Sequence, residues 1–319
     1  PVIRFIVNQI KPQIGEKVLD PALGTGGFLA ESFEFMKEQQ KKTEDREILQ
    51  YQTFFGIEKK PMPYLLGMMN LVLHGIEKPS IKRDNSLRIP LYEITEKKRV
   101  DIIMTNPPFG GEEEKGIMTN FPEATRTSET ALLFLQYIMR KLKEKGKCGM
   151  VVPNGTLFDT GVGARIKKEL IENFNLHTIV RLPKGVFSPY TGIETNLLFF
   201  EKDGLTNEIW YYEHPFPPER QKMKNPCYTK TYPLKYEEFK PLQIWWDSRQ
   251  KNEYAWKVSV KEVIKNNYNL DISNPNKEKE IVYKDPEEII DNIICYEKKL
   301  LGVIQEIKKQ LCKNWKNEK

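Results

Sequence analysis

Over roughly the first 200 residues, short apolar runs alternate with stretches in which apolar positions recur every three or four residues. The first pattern is that of buried strands and the second that of amphipathic helices. Strands are predicted at 17–20, 54–58, near Ile81, and at 100–105, 148–152, 176–182 and 195–201. Helices are predicted at 27–40, 63–73, 128–145 and 164–173. Strands that alternate with helices form a mostly parallel α/β sheet. Only a Gly-, Pro- and Ser-containing loop, residues 183–193, separates the last two strands. It is too short for a helical crossover, so these two are expected to pair antiparallel.

Local signals mark the helix ends. Ser128 is a candidate N-cap with Glu129 in the first turn, and Gly146 follows Lys143 and Lys145 at the far end. In the helix at 63–73, Leu65, Met68, Met69 and Val72 share one face and Gly75 stops it. That face reads as core packing.

From residue 204 the periodicity fades into interleaved Pro, Tyr, Trp and Lys, as in Glu213-His214-Pro215-Phe216-Pro217-Pro218 and Ile244-Trp245-Trp246. The reading is an irregular appendage over 204–284. Asp285-Pro286-Glu287-Glu288 then offers an N-cap, a proline at the first position and acids in the first turn of a helix. Ile290, Ile293, Leu300, Ile304, Ile307 and Leu311 follow at helical spacing, interrupted by Glu297. Three segments are thus expected: 1–203, 204–284 and 285–319.

Composition changes the picture little. The 319 residues, 39% apolar and 29% charged, are enough for a full core and too apolar for disorder. No apolar run is long enough to span a bilayer, and no signal segment opens the sequence. Pro1 is not a natural start, so the sequence reads as a fragment or a processed chain. Cys148, Cys227, Cys295 and Cys312 form no C-x-x-C pair, and His74, His177 and His214 do not cluster. The expectation is no metal, no disulfide framework and a reducing, cytoplasmic setting. A net charge of +6 permits a nucleic-acid partner.

Chemistry enters with Val18-Leu19-Asp20-Pro21-Ala22-Leu23-Gly24-Thr25-Gly26-Gly27-Phe28, a strand that runs into a glycine turn opening a helix. Glycines let a ligand approach the backbone, and a helix N-terminus offers free N–H groups. The second strand ends at Glu58, where a carboxylate can bind the two hydroxyls of a ribose. That arrangement serves nicotinamide dinucleotides and S-adenosylmethionine alike, but the glycine spacing departs from G-x-G-x-x-G.

The fourth strand ends in Asn106-Pro107-Pro108-Phe109. The prolines stiffen the backbone and remove two N–H groups, leaving the carbonyl of Pro107 and the amide oxygen of Asn106 as acceptors. Two acceptors gripping the hydrogens of an exocyclic amine localise its lone pair and stabilise the charge that grows on methylation. Phe109 offers a face for a base taken out of the duplex.

With these motifs in hand, the sequence resembles the amino-methyltransferases of DNA, and more narrowly the modification subunit of type I restriction-modification enzymes. Residues 149–158, Leu182-Pro183-Lys184-Gly185-Val186-Phe187, Gly192-Ile193-Glu194-Thr195-Asn196 and Tyr268-Asn269-Leu270-Asp271 look like further family stretches. The resemblance implies a class I S-adenosylmethionine-dependent methyltransferase fold, a Rossmann-like, seven-stranded, mostly parallel sheet with one antiparallel strand. It implies cofactor contacts from Asp20, Pro21, Ala22, Gly24, Thr25, Gly26, Gly27, Phe28, Glu58, Asp84 and Asn106. Asn106, Pro107, Pro108 and Phe109 would hold adenine for methylation at N6. Residues 1–6 look like the start of a family helix that contacts the cofactor. Implied partners are double-stranded DNA, a specificity subunit that meets the terminal helix through Leu300, Ile304 and Ile307, and a nuclease subunit. Other readings are an enzyme acting on RNA guanine N2 or protein glutamine, a non-catalytic scaffold, and a nicotinamide oxidoreductase.

Overall fold

The computed structural model describes residues 1–223 and 225–277, together with Ile290, Ile294, Glu297, Leu300, Leu301, Ile304 and Lys308. Residues Pro1–Asn276 form one compact unit and Lys277–Lys319 another. In the first unit the chain runs α1 (Val2–Ile10), β1 (Val18–Asp20), α2 (Gly27–Lys37), α3 (Thr43–Tyr51), β2 (Phe54–Glu58), α4 (Pro61–Leu73), β3 (Ser80–Arg83), β4 (Val100–Thr105) and α5 (Lys115–Met118). Then follow α6 (Thr130–Lys141), β5 (Leu142–Pro153), α7 (Asn154–Phe158), α8 (Val162–Asn173), β6 (Asn175–Arg181) and β7 (Thr195–Glu201). The last elements are β8 (Glu208–Glu213), α9 (Pro218–Gln221), α10 (Lys240–Ser248), β9 (Ala255–Ser259) and α11 (Val260–Lys265).

The nine strands among the described residues form one sheet, in the order β3-β2-β1-β4-β5-β7-β6-β8-β9. Strands β1 to β5 run parallel, and β7 lies antiparallel between β5 and β6. The expected seven-stranded arrangement is therefore present, but the sheet does not stop there. β8 adds parallel to β6, and β9 adds antiparallel to β8. Both come from the segment expected to be irregular, and the sheet continues past residue 203 without a break. The pattern hides them for a physical reason. Ile209, Tyr211 and Tyr212 are all buried, so β8 is covered on both faces and shows no alternation of apolar and polar positions.

Two further expectations are corrected. The helix predicted at 128–145 ends at Lys141, and Leu142 already begins β5. Gly146 serves the strand instead: a Cβ there would meet the carbonyl oxygens of Lys143 at 2.8 Å and Asp101 at 3.0 Å. Ser128 is not the cap; Glu129 occupies that position without a side-chain bond. The stripe on α4 is also reversed. Leu65, Met69 and Val72 are exposed, and the buried residues of the helix are Gly67 and Leu71. α4 is apolar on most of its surface, so its pattern could not say which face turns inward. Gly67 decides it, because a Cβ there would lie 3.0 Å from the carbonyl oxygen of Gly24.

Each face of the sheet carries its own core. Leu133, Ile138, Ile166 and Leu170 of α6 and α8 pack on one side. On the other, Phe5 and Ile6 of α1 join Phe33 of α2 and Leu242 of α10. Helix α1 lies close over β5, where a Cβ on Gly149 would stand 2.5 Å from Ile6. The Tyr268–Asp271 stretch pins the end of β6: Asp271 pairs with Arg181 at 2.6 Å, and the N–H of Leu270 donates to the carbonyl of Leu157 at 3.0 Å.

Of the second unit, the described residues from Ile290 on are helical and exposed. Ile290, Leu300 and Ile304 of the predicted stripe are among them. Ile293, Ile307 and Leu311 lie outside the described residues, as does the predicted start at 285–288.

Candidate active site

Strands β2 and β4 flank β1 in a sheet whose connections reverse direction there. A crevice opens at such a switch point beyond the carboxyl ends of the strands. Asp20, Glu58 and Thr105 end these three strands.

Asp20 is buried, and its Oδ1 accepts hydrogen bonds from the N–H of Ala22 at 3.0 Å and the hydroxyl of Thr105 at 2.8 Å. Burial raises its carboxyl to about 7 against the lowering effect of those two bonds, and Glu58 adds a smaller push upward. Glu58 is fixed by two backbone donors, Gly24 N–H at 2.9 Å and Lys60 N–H at 2.7 Å. It thereby ties the glycine turn to the start of α4. Gly24 and Gly26 have φ of +54° and +80°, which only glycine adopts at little cost. A Cβ on Gly26 would meet Leu71 at 3.3 Å and the carbonyl of Gly67 at 3.4 Å. The glycine is needed as much for the close seat of α4 as for the approach of a ligand. Asn70 adds a bond from its side-chain amide to the carbonyl of Thr25 at 2.9 Å.

The other predicted residues fall in different places. Pro21 is buried, and the hydroxyl of Ser86 donates to its carbonyl. Ala22 is half-buried, Thr25 is exposed, and Gly27 faces Ile3 of α1, 2.8 Å from where a Cβ would stand. Phe28, on α2, belongs to the same buried core as Phe5 and Ile6 of α1. The N–H of Asp84 donates to the carbonyl of Glu58 at 3.1 Å, and its carboxylate pairs with Arg88. Asp84 lines a cavity of about 340 Å³ with Lys59, Arg83, Asn85 and Glu114.

Asn106, Pro107, Pro108 and Phe109 come together along a second cavity, of about 380 Å³. The side-chain oxygen of Asn106 is buried and has no hydrogen-bond partner. Buried acceptors are ordinarily paired, so an unpaired one at the wall of a cavity marks a place for a donor from outside the chain. Phe187, Tyr190 and Thr191, from the loop between β6 and β7, form the opposite wall. The rings of Phe109 and Phe187 stand 6.0 Å apart at 68°. Sequence reasoning did not assign these three residues, nor Thr105 and Gly67. Of these, Phe187 and Tyr190 alone carried a signal, as aromatic side chains in a Gly- and Pro-bearing hairpin loop, with Phe187 in a stretch that resembles the family. The nearness of that loop to Phe109 depends on β7 inserting between β5 and β6.

A 3-2-1-4-5-7-6 strand order, an acid-bearing glycine turn and an Asn-Pro-Pro-Phe cavity at the switch point define a class I methyltransferase fold. The sequence model of N-6 DNA methylases matches residues 1–283, and the chain belongs to that family. Membership carries with it the use of S-adenosylmethionine in general terms. The chain is 51% identical over 298 residues to the type I restriction enzyme EcoEI methylase subunit of Escherichia coli, covering 91% of this chain and 59% of that subunit. It is 32% identical over 262 residues to the EcoKI methylase subunit of Escherichia coli K12, covering 76% of this chain and 47% of the relative. The fold matches a chain from a structure of the assembly and conformational transition of a type I R-M system, with a TM-score of 0.82 and 43% identity. That match covers 100% of this chain and 66% of the other. It also matches the EcoKI M protein, with a TM-score of 0.74 and 26% identity over 96% of this chain and 72% of that one. The chain thus spans about half to three-fifths of the length of these curated relatives. Among the described residues, no helix is long and apolar enough to cross a membrane.

Proposed function

We propose that this chain is the catalytic region of a type I modification subunit and transfers a methyl group from S-adenosylmethionine to N6 of adenine in double-stranded DNA. The observation that carries the reading is the buried, unpartnered oxygen of Asn106 in a cavity walled by the rings of Phe109, Phe187 and Tyr190.

The residues present fit the cofactor. Glu58, held by two backbone donors, keeps lone pairs for the hydroxyls of a ribose. Asp20 supplies a buried carboxylate toward the cationic amino-acid part, and the positive-φ glycines keep side chains out of its way. When bound, S-adenosylmethionine supplies a methyl group already activated by a positive sulfur. The chain's own work is directed at the amine. The oxygens of Asn106 and Pro107 accept the two N6 hydrogens and draw the lone pair out of conjugation with the ring. A nitrogen that received the methyl as its bond to sulfur broke would carry a positive charge, which the same two dipoles stabilise until the extra proton is lost to water. Phe109 and Phe187 receive the base, which must leave the duplex to reach them.

A specificity subunit chooses the sequence to be methylated, and a nuclease subunit joins the larger complex. The net charge of +6 is compatible with a phosphate track. The test is to assemble the full-length subunit with a candidate specificity subunit and map methylated adenines, with RNA and protein substrates in parallel. Methyl groups at adenine N6 of a defined DNA site are expected. Methylation of guanine N2 or of glutamine instead overturns the substrate assignment.

A further inference from the structure

The loop that forms half of the base cavity is held from behind by a strap. Gly185 has φ +79°, and a Cβ there would stand 2.1 Å from the carbonyl oxygen of Tyr228 and 2.6 Å from the sulfur of Cys227. Nothing larger than hydrogen fits. The N–H of Tyr228 donates to the carbonyl of Lys184 at 2.9 Å. Tyr228 itself is 1% exposed. Its ring lies 5.2 Å from that of Phe216, and its hydroxyl donates to Glu238.

One arginine laces the strap together. The guanidinium of Arg220 sits 4.9 Å from the centre of the Tyr228 ring and 5.2 Å from that of Tyr232. It donates to the carbonyls of Cys227 at 2.7 Å and Tyr232 at 3.2 Å. Planar stacking and forked donation at once are what a guanidinium provides and an ammonium does not.

On the far side of Gly185 the loop is a single bonded unit. The N–H of Ser188 donates to the carbonyl of Gly185 at 2.9 Å, and the N–H groups of Tyr190 and Thr191 both donate to the carbonyl of Phe187. A shift of Tyr228 is therefore passed to Gly185 by van der Waals contact, and from there to Phe187 through the turn.

The geometry points to Tyr228, braced by Arg220, as the positioning residue that sets where Phe187 stands opposite Phe109, and so the width of the slot that receives the target base. Neither residue touches the base. The role rests on the function proposed above. Misplacing a reacting group by about 1 Å costs on the order of 100-fold in rate, so a strap at one remove from the site still governs it. A strap that merely covers a core corner would affect stability and leave the rate of the folded enzyme alone.

The test uses the complete complex with the full-length subunit, carrying Arg220→Gln, Tyr228→Ala or the conservative Tyr228→Phe. Hydrogen exchange of the peptide spanning 183–192 reads the loop directly, and single-turnover methylation reads the consequence. In Arg220→Gln and Tyr228→Ala, exchange in that peptide rises about tenfold and the methylation rate falls about 10- to 100-fold. S-adenosylmethionine affinity and DNA retention stay within about twofold of wild type. Tyr228→Phe, which keeps ring and backbone, retains the rate. Arg220→Gln alters a side chain at the edge of the strap and keeps the comparison open if the Tyr228→Ala chain does not fold. Unchanged exchange in 183–192 overturns the proposal, as does faster exchange with an unchanged rate. A wild-type complex that binds DNA and methylates no adenine overturns the functional reading instead, and the exchange comparison then stands alone as the measure of the strap.

Discussion

Two side chains at the ends of neighbouring strands are left unfinished in different ways. Asn106 has a buried acceptor with no donor. Removing it leaves the cavity and takes away one of the two dipoles aimed at the amine. Asn106→Ala is expected to keep S-adenosylmethionine affinity and to lose about 100- to 1000-fold in the single-turnover rate. A near wild-type rate in the complete complex would falsify the mechanism. Asp20 has its bonds but carries its carboxyl at about 7 because it is buried. Its folded-state value lies above the unfolded one, so its contribution to stability is present at low pH and is lost as pH rises toward about 7. A cationic ligand beside it favours the carboxylate. Cofactor affinity should therefore fall as pH drops below about 7, approaching tenfold per pH unit. Calorimetry in buffers of different ionisation enthalpy should show a proton released on binding, and Asp20→Asn should abolish that release.

At the scale of elements, α4 and the glycine turn form one unit. Gly67, Asn70 and Leu71 on one face of the helix meet Gly24, Thr25 and Gly26 of the turn. Gly67→Val forces the helix outward by placing carbon against the carbonyl of Gly24. Overpacking of this kind costs about 1–3 kcal/mol. The expected outcome is a lowered denaturation midpoint, and a cofactor affinity reduced at least about tenfold as the turn is displaced. An unchanged affinity in the folded variant would uncouple helix from turn. Gly26 now has a second reason to be glycine. A bulky residue there removes cofactor binding through the seat of α4 and the positive φ, and not only by blocking the ligand's path.

At the scale of the molecule, Ile290, Leu300 and Ile304 of the stripe read from the sequence are helical and exposed. The stripe has the three-and-four spacing of a seam for another helix, and it supports the proposal of a helical partner. Leu300→Glu with Ile304→Glu should leave S-adenosylmethionine binding intact and prevent co-purification with the specificity subunit. Stoichiometric recovery of the complex from that double variant would remove the seam from the interface. Ile307, expected in the same stripe, lies outside the described residues.

What the sequence determined by itself was most of the local order along the chain, though not α3 or the start of β5. The first seven strands follow from period and length, the glycine turn from its spacing, and the Asn-Pro-Pro-Phe corner from residue types whose chemistry survives any packing. Tertiary structure alone decided which surfaces meet. The buried face of α4 was chosen by a glycine that admits a neighbouring carbonyl. β8 and β9 joined the sheet although both faces of β8 are covered and no alternation announces it. Phe187 became the partner of Phe109 because β7 slots between β5 and β6, which brings a distant loop to the end of β4. Period and motif are properties of neighbours in sequence. Burial, closeness and an unpaired acceptor belong to neighbours in space, and only the folded chain brings those together.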